Sequence, residues 1–125
     1  MPKLNGNDRE IIKQMQELGM SRVLACTIVW LKSNGGFSTD IEDGTGLKQP
    51  EVSTAIRNLR DLGWLEEEKV QGSSPDGSKL IGRPRVRFSL RVGAEEILEY
   101  SIRDGVDRIR NTEESINHLE RLLTG

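Results

Sequence analysis

The sequence of 125 residues lacks the residues on which several protein classes depend. Its single cysteine, Cys26, excludes an intramolecular disulfide and a zinc site built from cysteines. His118 is the only histidine, and no apolar run approaches the roughly 18 residues of a membrane span. The first ten residues contain no apolar segment of the kind found in secretory signals. We therefore expect a cytoplasmic protein with no metal site, no cofactor and no membrane partner.

Charge is distributed unevenly along the chain. Overall, 18 basic and 20 acidic side chains give a formal charge of −2. Residues 69–91 carry six basic side chains and one acidic side chain, whereas residues 92–125 carry four and eight. A polyanionic partner is therefore expected to bind the basic middle of the chain, because the protein as a whole is not a polycation.

Apolar spacing and capping residues predict two helices at the start of the chain. Asn7 with Glu10 three residues later is a capping-box pattern and predicts the start of the first helix, which ends at Gly19. Ser21 predicts the N-cap of the second helix. Cys26 lies among apolar residues of that helix, which indicates a buried and unreactive thiol.

Two shorter helices follow, joined by a glycine turn. Ser38 predicts the cap of a third helix over residues 39–44, and Pro50 suits the first position of a fourth. Gly63 fits the left-handed position that ends this helix. Its apolar residues share one face and are Val52, Ala55, Ile56, Leu59 and Leu62.

A two-stranded hairpin is predicted after the fourth helix. Residues 64–70 form the first strand, and residues 86–92 form the second, in which Val86, Phe88 and Leu90 alternate with arginines. Residues 71–83 between them are rich in Gly, Ser, Pro and Asp, which predicts a long loop.

The chain ends in one long predicted helix from Ala94 onward. From Leu98 to Leu123, residues at alternating spacings of four and three form one stripe along the helix, which we call the seam. This spacing has the 3.5-residue period of a coiled coil, and the seam includes the small residues Gly105 and Thr112. We expect this segment, residues 93–125, to be a dimerisation helix attached to a domain of residues 1–92. The alternative is that it folds back on its own domain, and a parallel or antiparallel pairing remains open. The large seam residues are Leu98, Ile102, Ile109, Ile116, Leu119 and Leu123.

These elements predict a mainly α fold with a small β-hairpin, a winged helix-turn-helix with a long C-terminal helix. Residues 47–65, LKQPEVSTAIRNLRDLGWL, resemble the recognition-helix signature of winged-helix regulators of the MarR, ArsR and TrmB type. Residues 82–90, GRPRVRFSL, resemble the wing strand of archaeal members. The resemblance covers roughly residues 20–91 and implies a homodimeric transcriptional regulator that binds double-stranded DNA.

The outer face of the fourth helix carries side chains suited to base recognition. Gln and Asn pair with adenine edges, Arg pairs with guanine, and Ser or Thr bonds to bases or phosphates. The alternative is that these residues form only a solvated helix surface without a binding role. The expected major-groove contacts are Gln49, Ser53, Thr54, Arg57 and Asn58.

The predicted hairpin, residues 64–92, is the wing of this fold. It carries a second set of expected contacts, to the minor groove or to phosphates. Residues 82–85, GRPR, resemble the core of an AT-hook, in which glycine, proline and two arginines follow a narrow minor groove. Ile81 departs from that motif, because an AT-hook has arginine there. The expected wing contacts are Lys79, Arg83, Arg85 and Arg87.

Two other function classes compete with a DNA-binding regulator. One is a winged helix used as a protein-interaction module in a transcription or chromatin assembly, although such modules usually lack basic residues on the outer face. The other is an enzyme, which we do not expect, because the sequence contains no nucleophile–base pair and no phosphate-binding loop. The sequence specifies neither an operator nor a small-molecule effector.

Overall fold

The computed structural model describes residues 3–70 and 85–125, which form five helices and a two-stranded antiparallel sheet. The mainly α fold with a small β-hairpin is confirmed. The predicted loop 71–83, with Lys79 and Arg83, lies outside the described residues, as does the rest of the AT-hook-like segment before Arg85. The elements are α1 (Gly6–Glu17), α2 (Arg22–Ser33), α3 (Ser38–Thr45), α4 (Gln49–Leu62), β1 (Leu65–Val70), β2 (Arg85–Leu90) and α5 (Ala94–Thr124).

The N-cap of α1 is Asn5, two residues before the predicted cap Asn7, and the helix begins at Gly6. The Asn5 side chain accepts a hydrogen bond of 2.8 Å from the Asp8 backbone N–H, and the Asp8 carboxylate accepts one of 2.9 Å from the Asn5 N–H. Asn7 lies inside the helix, so its prediction as N-cap was wrong. The backbone N–H of Leu4 donates to the Gly44 carbonyl at 3.1 Å, which fixes the chain directly before Asn5. A contact distant in sequence therefore selected between two capping patterns of equal spacing.

The remaining helix ends follow the sequence more closely. The Ser21 hydroxyl accepts a hydrogen bond from the Leu24 N–H at 3.2 Å, and Gly63 has a φ of +76°, so both predictions are confirmed. Helix α3 begins at Ser38 itself, one residue earlier than predicted, because the Asp40 carboxylate accepts from the Phe37 N–H at 2.9 Å. Helix α4 likewise begins one residue before Pro50.

Helix α2 forms the centre of the core, because eight of its twelve residues are buried. It packs against α1, α3, α4 and β2. Trp30 is 2% exposed, and its indole ring lies against Gly44 of α3 and Gly36. The apolar face of α4 completes this core with four fully or largely buried residues, Val52, Ala55, Ile56 and Leu59.

Cys26 is buried in α2, and burial raises the pKa of its thiol. Because the thiolate is the reactive form, a soluble thiol reagent should modify Cys26 at least about 100-fold more slowly in the folded protein than in urea. Stopped-flow absorbance with an aromatic disulfide measures both rates. A cysteine placed at exposed Asn111 on the Cys26→Ala background is the control and should react equally fast in both states. Equal rates for Cys26 would contradict its burial.

Helix α5 packs on the rest of the chain through its first half. Ile97, Ser101 and Gly105 are buried on one face, and the rings of Trp64 and Tyr100 meet edge to face with centroids 5.1 Å apart. A Cβ atom at Gly105 would lie 2.8 Å from Leu18 Cδ2, so this glycine permits close contact with the end of α1.

Gly105 fits the seam spacing, and within one copy its surface is covered by Leu18. The six large seam residues are instead exposed by between 51% and 77%. The core extends into α5 through Ile97, whereas every residue from Val106 to Gly125 is exposed. Within residues 3–70 and 85–125, no helix has both the length and the hydropathy needed to cross a bilayer.

Candidate nucleic-acid interface

The outer surface of α4 is set by the turn that precedes it. Gly46 adopts a φ of +78°, which reverses the chain after α3, and Leu47 is buried at 4% exposure directly after the turn. The apolar side of α4 therefore faces α2. Gln49, Ser53, Thr54 and Arg57 are exposed and Asn58 is half-buried, so the five residues expected to contact bases lie on the outward side.

The wing is anchored to the segment between α2 and α3. Gly36 and Phe88 exchange two backbone hydrogen bonds of 3.0 Å and 2.8 Å, and Phe88 is buried. The Arg87 guanidinium covers Gly35, where a Cβ atom would lie within 2.7 Å of it. The sequence analysis did not predict this bridge. The pairing of Gly36 with an alternating strand is the signal that reasoning from the sequence missed.

Arg85 is held against the beginning of α3. Its guanidinium carbon lies 3.8 Å from the centroid of the Phe37 ring, and Nη2 donates to the Thr39 hydroxyl at 3.4 Å. A guanidinium over an aromatic face is attracted by the ring quadrupole. This contact directs a wing arginine towards the helix-turn-helix instead of into open solvent.

A cleft of about 500 Å³ lies between α3, α4 and β2. It brings together expected contacts from the helix, Ser53 and Arg57, with an expected contact from the wing, Arg85. The sequence analysis had placed these residues on separate elements and had not included Arg60. The polar residues that line the cleft are Ser38, Thr39, Ser53, Arg57, Arg60 and Arg85.

Arg60 is neutralised by a glutamate of the wing. Its Nη2 and Nε atoms donate to the Glu67 carboxylate at 2.6 Å and 3.2 Å. These hydrogen bonds lower the pKa of Glu67 and raise that of Arg60. Glu67 lies opposite Phe88 in the sheet, on the side that faces α4, which explains why the pair forms.

Other cations of this surface have no acidic partner in the part of the chain that the structure describes. Within residues 3–70 and 85–125, Arg57, Arg85 and Arg87 take part in no ion pair, whereas Arg91 binds Glu66 at 2.8 Å. No group of three or more Asp, Glu, His or Cys side chains suited to a metal ion occurs in this part of the chain. The surface therefore presents unpaired guanidinium groups and hydroxyls, which suit phosphate oxygens and base edges.

Comparisons with known proteins identify the fold. No protein-family model matches the sequence, and no curated protein is similar to it. Among solved structures, TrmBL2, an archaeal chromatin protein, is similar with a TM-score of 0.57 at 14% identity, over 93% of this chain and 41% of that one. The chain thus spans less than half the length of TrmBL2.

Two further structures are similar over most of both chains. A possible transcriptional regulator from Methanosarcina mazei has a TM-score of 0.52 at 9% identity and covers 88% of this chain and 86% of its own. The multiple antibiotic resistance repressor MarR has a TM-score of 0.50 at 14% identity and covers 94% and 83%. The chain therefore has the winged helix-turn-helix fold of the MarR and TrmB types of transcriptional regulator, as residues 47–65 predicted.

Proposed function

We propose that this protein is a DNA-binding transcriptional regulator that acts as a homodimer. Helix α4 enters the major groove, and the wing contacts the minor groove or phosphates. The observation that carries the proposal is the cleft in which Ser53, Arg57 and Arg85 meet. The similarity to TrmBL2, which binds DNA, and to the repressor MarR supports it.

The outer face of α4 supplies the base contacts. The Arg57 guanidinium suits a bidentate bond to guanine, and the amides of Gln49 and Asn58 suit adenine. Gln49 donates to the Ser53 hydroxyl at 3.2 Å, which orients both side chains, and the Thr54 hydroxyl donates to the Pro50 carbonyl at 3.0 Å. Each good bidentate contact contributes about 1–3 kcal/mol of discrimination between bases.

The wing supplies contacts that do not depend on sequence. Arg85 lines the cleft, Arg87 of the same strand lies over Gly35, and Lys79 and Arg83 are proposed to extend this basic surface. Each neutralised phosphate releases counterions, so binding should weaken steeply with salt. Two copies of the chain would present two recognition helices to successive major grooves, roughly 34–36 Å apart.

Arginine substitutions separate these two roles. Duplexes selected from random DNA provide the target, and fluorescence anisotropy measures affinity at several salt concentrations. We expect Arg57→Ala to weaken binding about 5- to 150-fold and to relax the preference at one base pair. Arg85→Ala should weaken all duplexes alike and reduce the slope of log K against log salt by about 1.

The matched control is Arg103→Ala on α5, which removes the same charge from an exposed side chain remote from the cleft. It should leave both affinity and salt slope within about twofold of the unmodified protein. Absence of salt-dependent binding to any duplex would contradict the proposal and would favour the alternative, a winged helix that binds protein.

A further inference from the structure

Helix α5 carries more exposed apolar side chains than the seam accounts for. Leu122 is 67% exposed although it lies beside the seam and not on it. Val106, also off the seam, is 49% exposed. Large exposed apolar patches of this kind mark interaction surfaces in proteins.

The described part of the chain also contains an apolar crevice of about 400 Å³ between α1, α2 and α5. Leu18 at its edge is 36% exposed. The last turn of α5 cannot fill the crevice of its own chain. Leu98 lines the crevice, and 24 residues of continuous helix separate it from Leu122, which is about 36 Å at 1.5 Å per residue. Its apolar lining includes Ile11, Met15, Leu18, Ile97 and Leu98, with Ser101 beside them.

We propose that two copies of α5 pair antiparallel, and that the last turn of each helix docks in the crevice of the other copy. This inference rests on the homodimer of the proposed function and specifies its geometry. One register covers all six large seam residues. It places Leu98 opposite Leu123 of the second copy, and Ile102 opposite Leu119. The same register sets Gly105 opposite Ile116, and Thr112 opposite Ile109.

The sizes of the paired side chains favour this register. Each small seam residue meets an isoleucine, so Ile116 of the second copy packs over Gly105 and the Leu18 side chain that covers it. A parallel pairing would stack Thr112 on Thr112 and would leave a gap there, where interhelical packing requires a large side chain.

Charge favours the same orientation. Glu95 lies one heptad before Ile102, so a parallel seam would place two Glu95 carboxylates against each other between the helices, where like charges are costly. The antiparallel pairing sets Glu99 beside Glu120 only at the exposed edge, where salt screens the repulsion. The ion pair that a parallel pairing would gain, Arg108 with Glu113, is exposed and of small value.

Leu122 provides a separate argument. In this register it lies on the same side of the helix pair as Ser101 of the second copy, and Ser101 lines the crevice. The exposed leucine and the open crevice are thereby brought together. In a parallel pair, Leu122 would lie at the opposite end of the helix from both crevices.

Paired cysteine variants distinguish the two orientations. On the Cys26→Ala background, Leu98→Cys and Leu123→Cys are prepared separately, mixed to allow exchange of chains, and oxidised. We expect a disulfide-linked dimer only in the mixture, because each cysteine faces the other position across the seam. Arg121→Cys, which points away from the seam, is the control and should not link to Leu98→Cys.

Disulfides formed by either variant alone would show a parallel pair and overturn the inference. A dimer that forms no disulfide in the mixture would place the interface elsewhere and also overturn it. Both results leave the proposed DNA binding intact. A monomer in sedimentation overturns both this inference and the homodimer of the proposed function.

A second pair of variants tests the crevice. Leu122→Gln should raise the dissociation constant of the dimer at least about tenfold, because two buried leucines are lost per dimer. Arg121→Gln, the neighbouring control, should change it less than about threefold. An unchanged constant for Leu122→Gln would leave the crevice free for another occupant, such as a small apolar molecule, and would overturn the docking.

Discussion

Replacing Ile109 by aspartate is expected to leave the chain folded but monomeric. Ile109 is 62% exposed, so its removal affects no core contact within one copy, and the stability of the monomer should change by only about 0.5 kcal/mol. In a paired seam, the substitution places two carboxylates between apolar helices. Each buried unpaired charge costs several kcal/mol, so the dissociation constant of the dimer should rise at least about 1,000-fold.

Sedimentation velocity measures this change directly, since one chain has a mass of 14.0 kDa and the dimer twice that. The matched control is Asn111→Asp, which adds the same charge two residues further along, off the seam, and should remain dimeric. DNA affinity of Ile109→Asp should fall with dimerisation, because one recognition helix then reads only one half-site. A dimer that persists in Ile109→Asp would disprove the seam as the interface.

Replacing Gly44 by alanine is expected to lower the free energy of unfolding by about 1–3 kcal/mol. Gly44 is buried in α3, where an added Cβ would overlap Trp30 Nε1 and lie 2.5 Å from Trp30 Cδ1. The ring is 2% exposed and has no free space to move into. Alanine favours helix more than glycine by about 1 kcal/mol, which offsets only part of this steric cost.

Urea denaturation followed by tryptophan fluorescence measures the loss of stability. Gly6→Ala in α1 is the matched control, because no atom lies within 4 Å of its added Cβ, and it should be neutral or stabilising by up to about 1 kcal/mol. Equal stability of Gly44→Ala and the unmodified protein would mean that Trp30 and α3 move apart at little cost. The cleft beside α3 would then also be less rigid than its contacts indicate.

Much of the fold follows from patterns within single elements. Apolar spacing predicted α2, α4 and α5, because each helix buries one face and exposes the other. The hairpin followed from the almost strict alternation of Val86, Phe88 and Leu90 with arginines, although the strands are Leu65–Val70 and Arg85–Leu90 instead of residues 64–70 and 86–92. The Arg91 N–H still donates to the Trp64 carbonyl at 2.8 Å beyond the sheet.

The features that the sequence did not predict share a physical cause, which is contact between segments distant in the chain. Asn7 and Asn5 offer equivalent capping patterns, and the hydrogen bond from Leu4 to Gly44 decided between them. The spacing of α5 assigns Gly105 to the seam, but only the packed chain shows that Leu18 of α1 covers it.

The same distinction between local patterns and distant contacts applies to the candidate site. The outward position of Ser53 and Arg57 follows from the apolar face of α4, which is encoded in a short stretch of sequence. The approach of Arg85 to Phe37 depends on backbone pairing between Gly36 and Phe88, which are far apart in the chain.

The amino-acid sequence by itself determined the order of the elements, the polar face of α4 and the basic character of β2, because periodicity and composition act locally. Tertiary structure alone decided which cations remain without an acidic partner. Glu67 neutralises Arg60 across two elements, while Arg57 and Arg85 line the cleft and have no acidic partner among residues 3–70 and 85–125. Ion pairing depends on distances of a few ångströms between separate segments, and only the packed chain sets those distances.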